Sequence, residues 1–247
     1  MPGRGLRWLW VMLWVAAGVW AHAEEVLLAT LEWPPYVGAQ LPISGGSTAI
    51  LRAALAAEGI TVKLDFLPWQ RAVQLGTYDH RYAGYFPAYA GAERDAKSIR
   101  SDPIGSSPLG FAELLANPIN WHTLDDLQGK RIGVVAGYVN TDDLDRRLRE
   151  GLLVADAAPS DELNLVKLLA RRVDTAVIDR HVFDYLLQTT PTLKNRARQL
   201  SFSHTLLDDK KLYVYCQRTP EGERLCAKLN EGLARINLEE VFRSTLH

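Results

Sequence analysis

From Val26 onward the chain alternates short apolar, strand-like runs with helix-like segments, and it does so in two successive sets. The first set opens with "VLLATL" (26–31), a short apolar strand. Residues Gly46–Glu58 read as a helix, because Leu51, Ala54 and Leu55 recur on one face. "TVKLDFL" (61–67) alternates as a half-buried strand does, and Pro68 suits the first turn of the helix "PWQRAVQL". "YAGYF" (82–86) is the next strand. A βαβαβ beginning of this kind buries both faces of a mostly parallel sheet under helices.

The second set starts with "TLDDLQGK" (123–130), a short helix closed by Gly129, and the strand "RIGVVAG" (131–137). "NTDDLDRRLRE" (140–150) begins a helix behind the cap-like Asn140 and Thr141. The strand "GLLVAD", the helix "SDELNLVKLLARR", the strand "DTAVID" (174–179) and the helix "RHVFDYLLQ" follow, the last stopped by Pro191. "RQLSFS", "KLYVYC" and a helix through Ile236 complete the pattern. "SSPLGFAELLANP" (106–118) lies between the sets and reads as a strand crossing from one to the other. The final strand and helix are expected to return to the first set. The expected architecture is therefore α/β with two lobes: 24–107 plus 207–247 form lobe 1 and 108–206 form lobe 2. Two crossings make a hinge, and a cleft between lobes is where small ligands bind.

The N-terminus carries Arg4 and Arg7, an apolar run from Trp8 to Trp20, and "AHA" at Ala21–Ala23. That is the basic, hydrophobic and small-residue sequence of a secretory signal peptide, so residues 1–23 are expected to be removed on export. Thirteen apolar residues are short for a bilayer span. Loss of both arginines takes the formal net charge from −1 to about −3. Near-neutral charge gives no electrostatic case for nucleic acid. Cys216 and Cys226 are the only cysteines. Export would place them in an oxidising compartment, where an isolated pair tends to form a disulfide. Two cysteines with no nearby histidine make a poor zinc site, and no metal or other cofactor is expected.

Five stretches together resemble a known family: "EWPPY" (32–36), "FLPWQRAV" (66–73), "AERDAKSIRSDPI" (92–104), "LQGKRIGVVAGYVN" (127–140) and "RRVDTAVIDRHV" (171–182). The chain from Glu25 onward is similar to the periplasmic solute-binding proteins of the polar amino-acid family, family 3 of the bacterial extracellular binding proteins. The resemblance implies a two-lobed periplasmic binding protein fold, an amino-acid-like or other small carboxylate ligand in the cleft, and an inner-membrane ABC permease as partner. It also implies a periplasmic location and a monomer. Arg94 matches the family arginine that forks onto the ligand carboxylate, and Asp179 matches the acid that pairs with its ammonium. Trp33, Tyr36, Trp69 and Tyr89 would supply aromatic walls, and Tyr138 and Val139 backbone donors at a helix start.

Three places depart from the family pattern. The acidic signature near the first helix reads "GSTAI" (46–50), Pro87, Ala88 and Tyr89 replace Ser/Thr donors before the arginine, and Tyr138 and Val139 replace a Thr pair. Bulky aromatics thus stand where small hydroxyls are usual, which points away from a standard polar amino acid. The competing classes are an enzyme resembling cyclohexadienyl dehydratases on the same scaffold and a sensor whose closed form is read by another protein. Asp179 is the binder's residue type, and His80, His122, His181, His204 and His247 lie scattered in polar contexts. Local sequence also permits Asp179 to be a helix cap and Arg94 a surface ion-pair partner, and leaves Arg71 open between pocket and surface.

Overall fold

The computed structural model describes residues 24–245. The signal peptide expectation and His247 lie outside these residues. In chain order the elements are β1 (Glu24–Thr30), α1 (Gly46–Ala56), β2 (Ile60–Phe66), α2 (Trp69–Tyr78), β3 (Gly84–Tyr89), α3 (Ala92–Lys97), β4 (Ser98–Arg100) and β5 (Gly105–Leu114). They continue with β6 (Arg131–Val135), α4 (Asp142–Arg149), β7 (Val154–Ala158), α5 (Asp161–Leu169), β8 (Thr175–Asp179), α6 (Arg180–Thr189) and α7 (Pro191–Lys194). The last are β9 (Leu200–Phe202), β10 (Asp208–Gln217), α8 (Pro220–Leu233) and α9 (Leu238–Arg243).

Among the described residues the strands form one sheet whose main path is β2-β1-β3-β10-β5-β8-β6-β7, with β4 against β10 and β9 against β5. β1 runs parallel to β2 and β3, and β6 parallel to β7 and β8. The central strands β3 and β8 are buried along their whole length. Their apolar runs fit strands covered on both faces, as parallel sheets require.

The two parallel halves are joined by β5 and β10. These pair antiparallel where Gly105–Leu109 meets Asp208–Leu212. β10 then continues against β3 and β4, while β5 continues against β8 and β9. Each long strand therefore starts or ends in a different half, and the two crossings lie side by side.

Local chemistry explains the helices that frame the cleft. Thr141 and Ser160 cap α4 and α5 by accepting from Leu144 N and Leu163 N, each at 3.3 Å. α4 carries Asp142, Asp143 and Asp145 in its first turn and Arg146, Arg147 and Arg149 in its last, the order its dipole favours. α8 returns to the first lobe and packs on α1. At the contact a Cβ on Gly232 would lie 2.0 Å from the Ala54 carbonyl oxygen, so only glycine permits this approach.

Some boundaries differ from the sequence reading. β3 begins at Gly84, and Pro68 caps α2 from outside its first turn. Residues Leu124–Leu127 form a 3-10 turn, and α9 extends beyond the helix expected to end the chain. The expected disulfide is not formed here: Cys216 and Cys226 are both buried free thiols. Cys216 lies on β10 opposite Gly84 and Ile99, and the Cys226 thiol is 3.8 Å from the Ile99 carbonyl oxygen. No helix among the described residues is long and apolar enough to cross a membrane.

Candidate functional site

The end of β1 turns sharply at Trp33. The Trp33 amide donates to Val37 O at 2.8 Å, and the amides of Tyr36 and Val37 donate back to Trp33 O at 3.1 Å. This knot stacks the Trp33 ring on Tyr36, with centroids 4.6 Å apart. It also sets Trp33 edge-on to Tyr89 at 6.0 Å and to Tyr138 at 6.4 Å. Tyr138 comes from the second lobe, in the turn after β6, so the aromatic contact spans the cleft.

Arg94 lies on α3 at the edge of this cluster. Its guanidinium stands 5.5 Å from the centre of the Trp69 ring, and its Nη1 donates to Tyr89 O at 3.1 Å. The nearby acids are taken by other cations: Glu93 pairs with Lys97 at 2.6 Å and Asp95 with Arg100 at 3.0 Å. Arg94 makes no ion pair among the described residues, and a half-buried guanidinium with donors to spare is a ready anion site.

Six of the residues singled out in the sequence meet around one cavity: Trp33, Trp69, Tyr89, Arg94, Tyr138 and Val139. The cavity itself is about 30 Å³, room for about one water rather than for a ligand in this arrangement of the lobes. Its walls are mostly apolar with one charge, the usual composition of small-molecule sites.

Tyr36 and Asp179 do not line that cavity; they form the joint behind it. Asp179 is 2% exposed. Its Oδ1 accepts from Val182 N at 2.9 Å, capping α6. Its Oδ2 accepts from Tyr36 Oη at 2.9 Å and from Ser107 Oγ at 2.5 Å. Because the Ser107 proton goes to the carboxylate, Tyr89 Oη, 2.6 Å from Ser107 Oγ, is the donor to that serine. The chain Tyr89–Ser107–Asp179–Tyr36 thus ties the first lobe, the crossing strand β5 and the second lobe together. Burial raises the Asp179 pKa against the pull of its donors, and burial followed by the Asp179 charge raises that of Tyr36.

One acid of the cleft escaped sequence reading. Asp161, the first residue of α5, is 8% exposed and borders an enclosed niche with Asp179, Asn140, Trp33, Tyr89 and Tyr138. Burial, and then the Asp179 charge, push its carboxyl up to about 7. An acid directly after a serine cap reads as an ordinary helix start, and only its tertiary surroundings mark it out. Arg71 is exposed and lines none of these cavities. His80, His122 and His204 are exposed, while His181 is half-buried against Tyr36 and Phe242.

No family model matches the sequence, and no curated protein matches it. Solved structures do match its shape. The GluR0 ligand-binding core from Nostoc punctiforme in complex with L-glutamate is 21% identical, with a TM-score of 0.69 over 89% of this chain and 96% of that one. A histidine kinase sensor domain with similarity to periplasmic binding proteins is 18% identical, with a TM-score of 0.74 over 91% of this chain and 97% of that one. An ABC uptake transporter substrate binding protein from Streptococcus pneumoniae with bound histidine is 19% identical, with a TM-score of 0.70 over 90% of each chain. The fold is thus the two-lobed periplasmic binding protein-like fold that the sequence implied.

Proposed function

We propose that this chain is a periplasmic solute-binding protein that closes its cleft on an amino-acid-like or other small carboxylate. The observation that carries the reading is Arg94: an arginine without an ion-pair partner among the described residues, at the edge of an aromatic cavity between two lobes. A carboxylate would take its fork bidentately. Trp33 and Trp69 come from the first lobe and Tyr138 and Val139 from the second, so a ligand touching both favours the closed arrangement. Relatives in shape bind L-glutamate and histidine. The aromatic walls favour a ligand with an apolar or aromatic portion.

In this reading residues 1–23 direct export, the lobes divide at the β5 and β10 crossings, the protein acts as a monomer, and it delivers its ligand to an inner-membrane ABC permease. The likeness to a kinase sensor domain supports a second reading, in which the closed form is read by a signalling partner. The cleft is assigned to binding, with no catalytic residue. Thermal-shift screening of the chain from Glu24 against free amino acids and small carboxylic acids tests the proposal. A ligand that binds only the folded state raises the melting temperature. A rise with carboxylates is expected; a screen in which none raises it would contradict the substrate class, and turnover of prephenate or arogenate would move the assignment to an enzyme.

A further inference from the structure

Tyr138 brings its ring, not its backbone, to the cleft. It lies in the turn between β6 and α4, where its amide already donates to Val135 O at 3.1 Å. The ring packs against the buried cluster that holds Trp33 and Tyr89, and stands edge-on to Trp33 at 6.4 Å. It borders three spaces at once: the Arg94 cavity, the enclosed niche beside Asp161 and the open basin at the cleft mouth. Trp33 is the one other residue that lines all three.

The sizes of these spaces are very unequal. The Arg94 cavity is about 30 Å³ and the basin about 810 Å³. Room for about one water does not seat a carboxylate together with a carbon skeleton, so one wall must give way for a ligand to reach Arg94 there. Three walls are held. Trp33 is fixed by its backbone knot and its stack on Tyr36, Tyr89 by its hydroxyl 2.6 Å from Ser107 Oγ, and Trp69 by its place at the start of α2 under the Arg94 guanidinium. Tyr138 is the aromatic wall on a turn, so its ring can leave without breaking a strand or helix. The basin it also borders is large enough to receive it.

We propose that Tyr138 is a self-filling gate: its ring holds the place beside Arg94 that the body of an aryl carboxylate takes, and the ligand binds as the ring swings into the basin. This rests on the carboxylate-binding function proposed above and adds to it the class of ligand and the residue that selects it. Displacement scales the affinity of every ligand by the fraction of molecules whose ring is out. The vacated space is faced by Trp33 and Tyr89. An aromatic ring placed there restores the contact that the tyrosine gives up, and an aliphatic chain does not.

The test is titration calorimetry with phenylacetate, 3-phenylpropanoate and butanoate on wild type, Tyr138→Ala and Tyr138→Phe. Wild type is expected to bind the aryl acids about tenfold or more tightly than butanoate. Tyr138→Ala should bind the aryl acids about tenfold or more tightly than wild type, because no ring competes for the place. Tyr138→Phe should bind as wild type does, since the ring and not the hydroxyl fills the site. A second readout needs no variant: nitration of Tyr138 by tetranitromethane, mapped by peptide mass, should rise when wild type is saturated with phenylacetate. Weaker or unchanged binding by Tyr138→Ala, or protection of Tyr138 from nitration, makes the ring a fixed wall and overturns the gate while the carboxylate site stands. A ligand body lying in the charged basin on the other side of Arg94 would leave both readouts unmoved and overturns it equally. Butanoate bound as tightly as the aryl acids overturns the ligand class. Failure of all three acids to bind wild type and Tyr138→Ala overturns the carboxylate site and this proposal with it.

Discussion

Tyr36 and Asp179 lie 143 residues apart in the sequence and meet between the two halves of the sheet, the tyrosine hydroxyl donating to the carboxylate at 2.9 Å. Both are buried, and Ser107 on the crossing strand β5 shares the same carboxylate oxygen. The contact fixes how the second lobe meets the aromatic cluster around Trp33, because Tyr36 also stacks on that ring.

Removing the hydroxyl alone should expose the cost of this joint. Tyr36→Phe keeps the stack on Trp33 but deprives a buried carboxylate of a donor. The expected loss of unfolding free energy is about 1–3 kcal/mol by urea denaturation. Asp179→Ala should cost more than Tyr36→Phe, since it also removes the cap on α6 and leaves Ser107 and Tyr36 unanswered. Equal stability of wild type and both variants would show that the network carries no weight.

Asp161 sets a pH dependence of stability. Its carboxyl is pushed up to about 7 in the fold, against an ordinary value of 3.8. The folded state therefore holds a proton that the unfolded chain has lost between about pH 4 and 7, and Asp179 shifts in the same direction. Stability should be greatest near the acid end of that window and fall as pH rises through it, by on the order of 2–4 kcal/mol. Urea midpoints taken at pH 5, 6 and 7.5 check this, and Asp161→Asn should flatten the slope.

The two thiols make a redox prediction. Cys216 and Cys226 are buried and not bonded to each other, so a thiol reagent should label neither in the folded protein and both after denaturation without reductant. Absence of label after denaturation would show that the pair had oxidised to a disulfide.

The fold was legible because alternation of apolar runs and amphipathic helices is a local signal, and the β5 crossing was legible because its extended apolar run lies between the two sets; the full length of β10 was not, since only "KLYVYC" read as strand. Arg94 and the tryptophans could be named from motif position. What sequence could not show was company. Asp179 looks the same in the chain whether it caps a helix, ties two lobes or meets a ligand, and here its hydrogen bonds reach residues 36 and 107. Asp161 was invisible for a related reason: it is surrounded by residues remote in the chain, Trp33 and Tyr138 among them.

The central claim is that Arg94 anchors a carboxylate, and calorimetry on Arg94→Ala tests it most directly. With the ligand that most raises the melting temperature of the wild type, the variant should keep its fold and lose about 10²-fold in affinity, the value of a charge-assisted hydrogen-bond pair. Arg94→Ala that binds the same carboxylate as tightly as wild type would contradict the account.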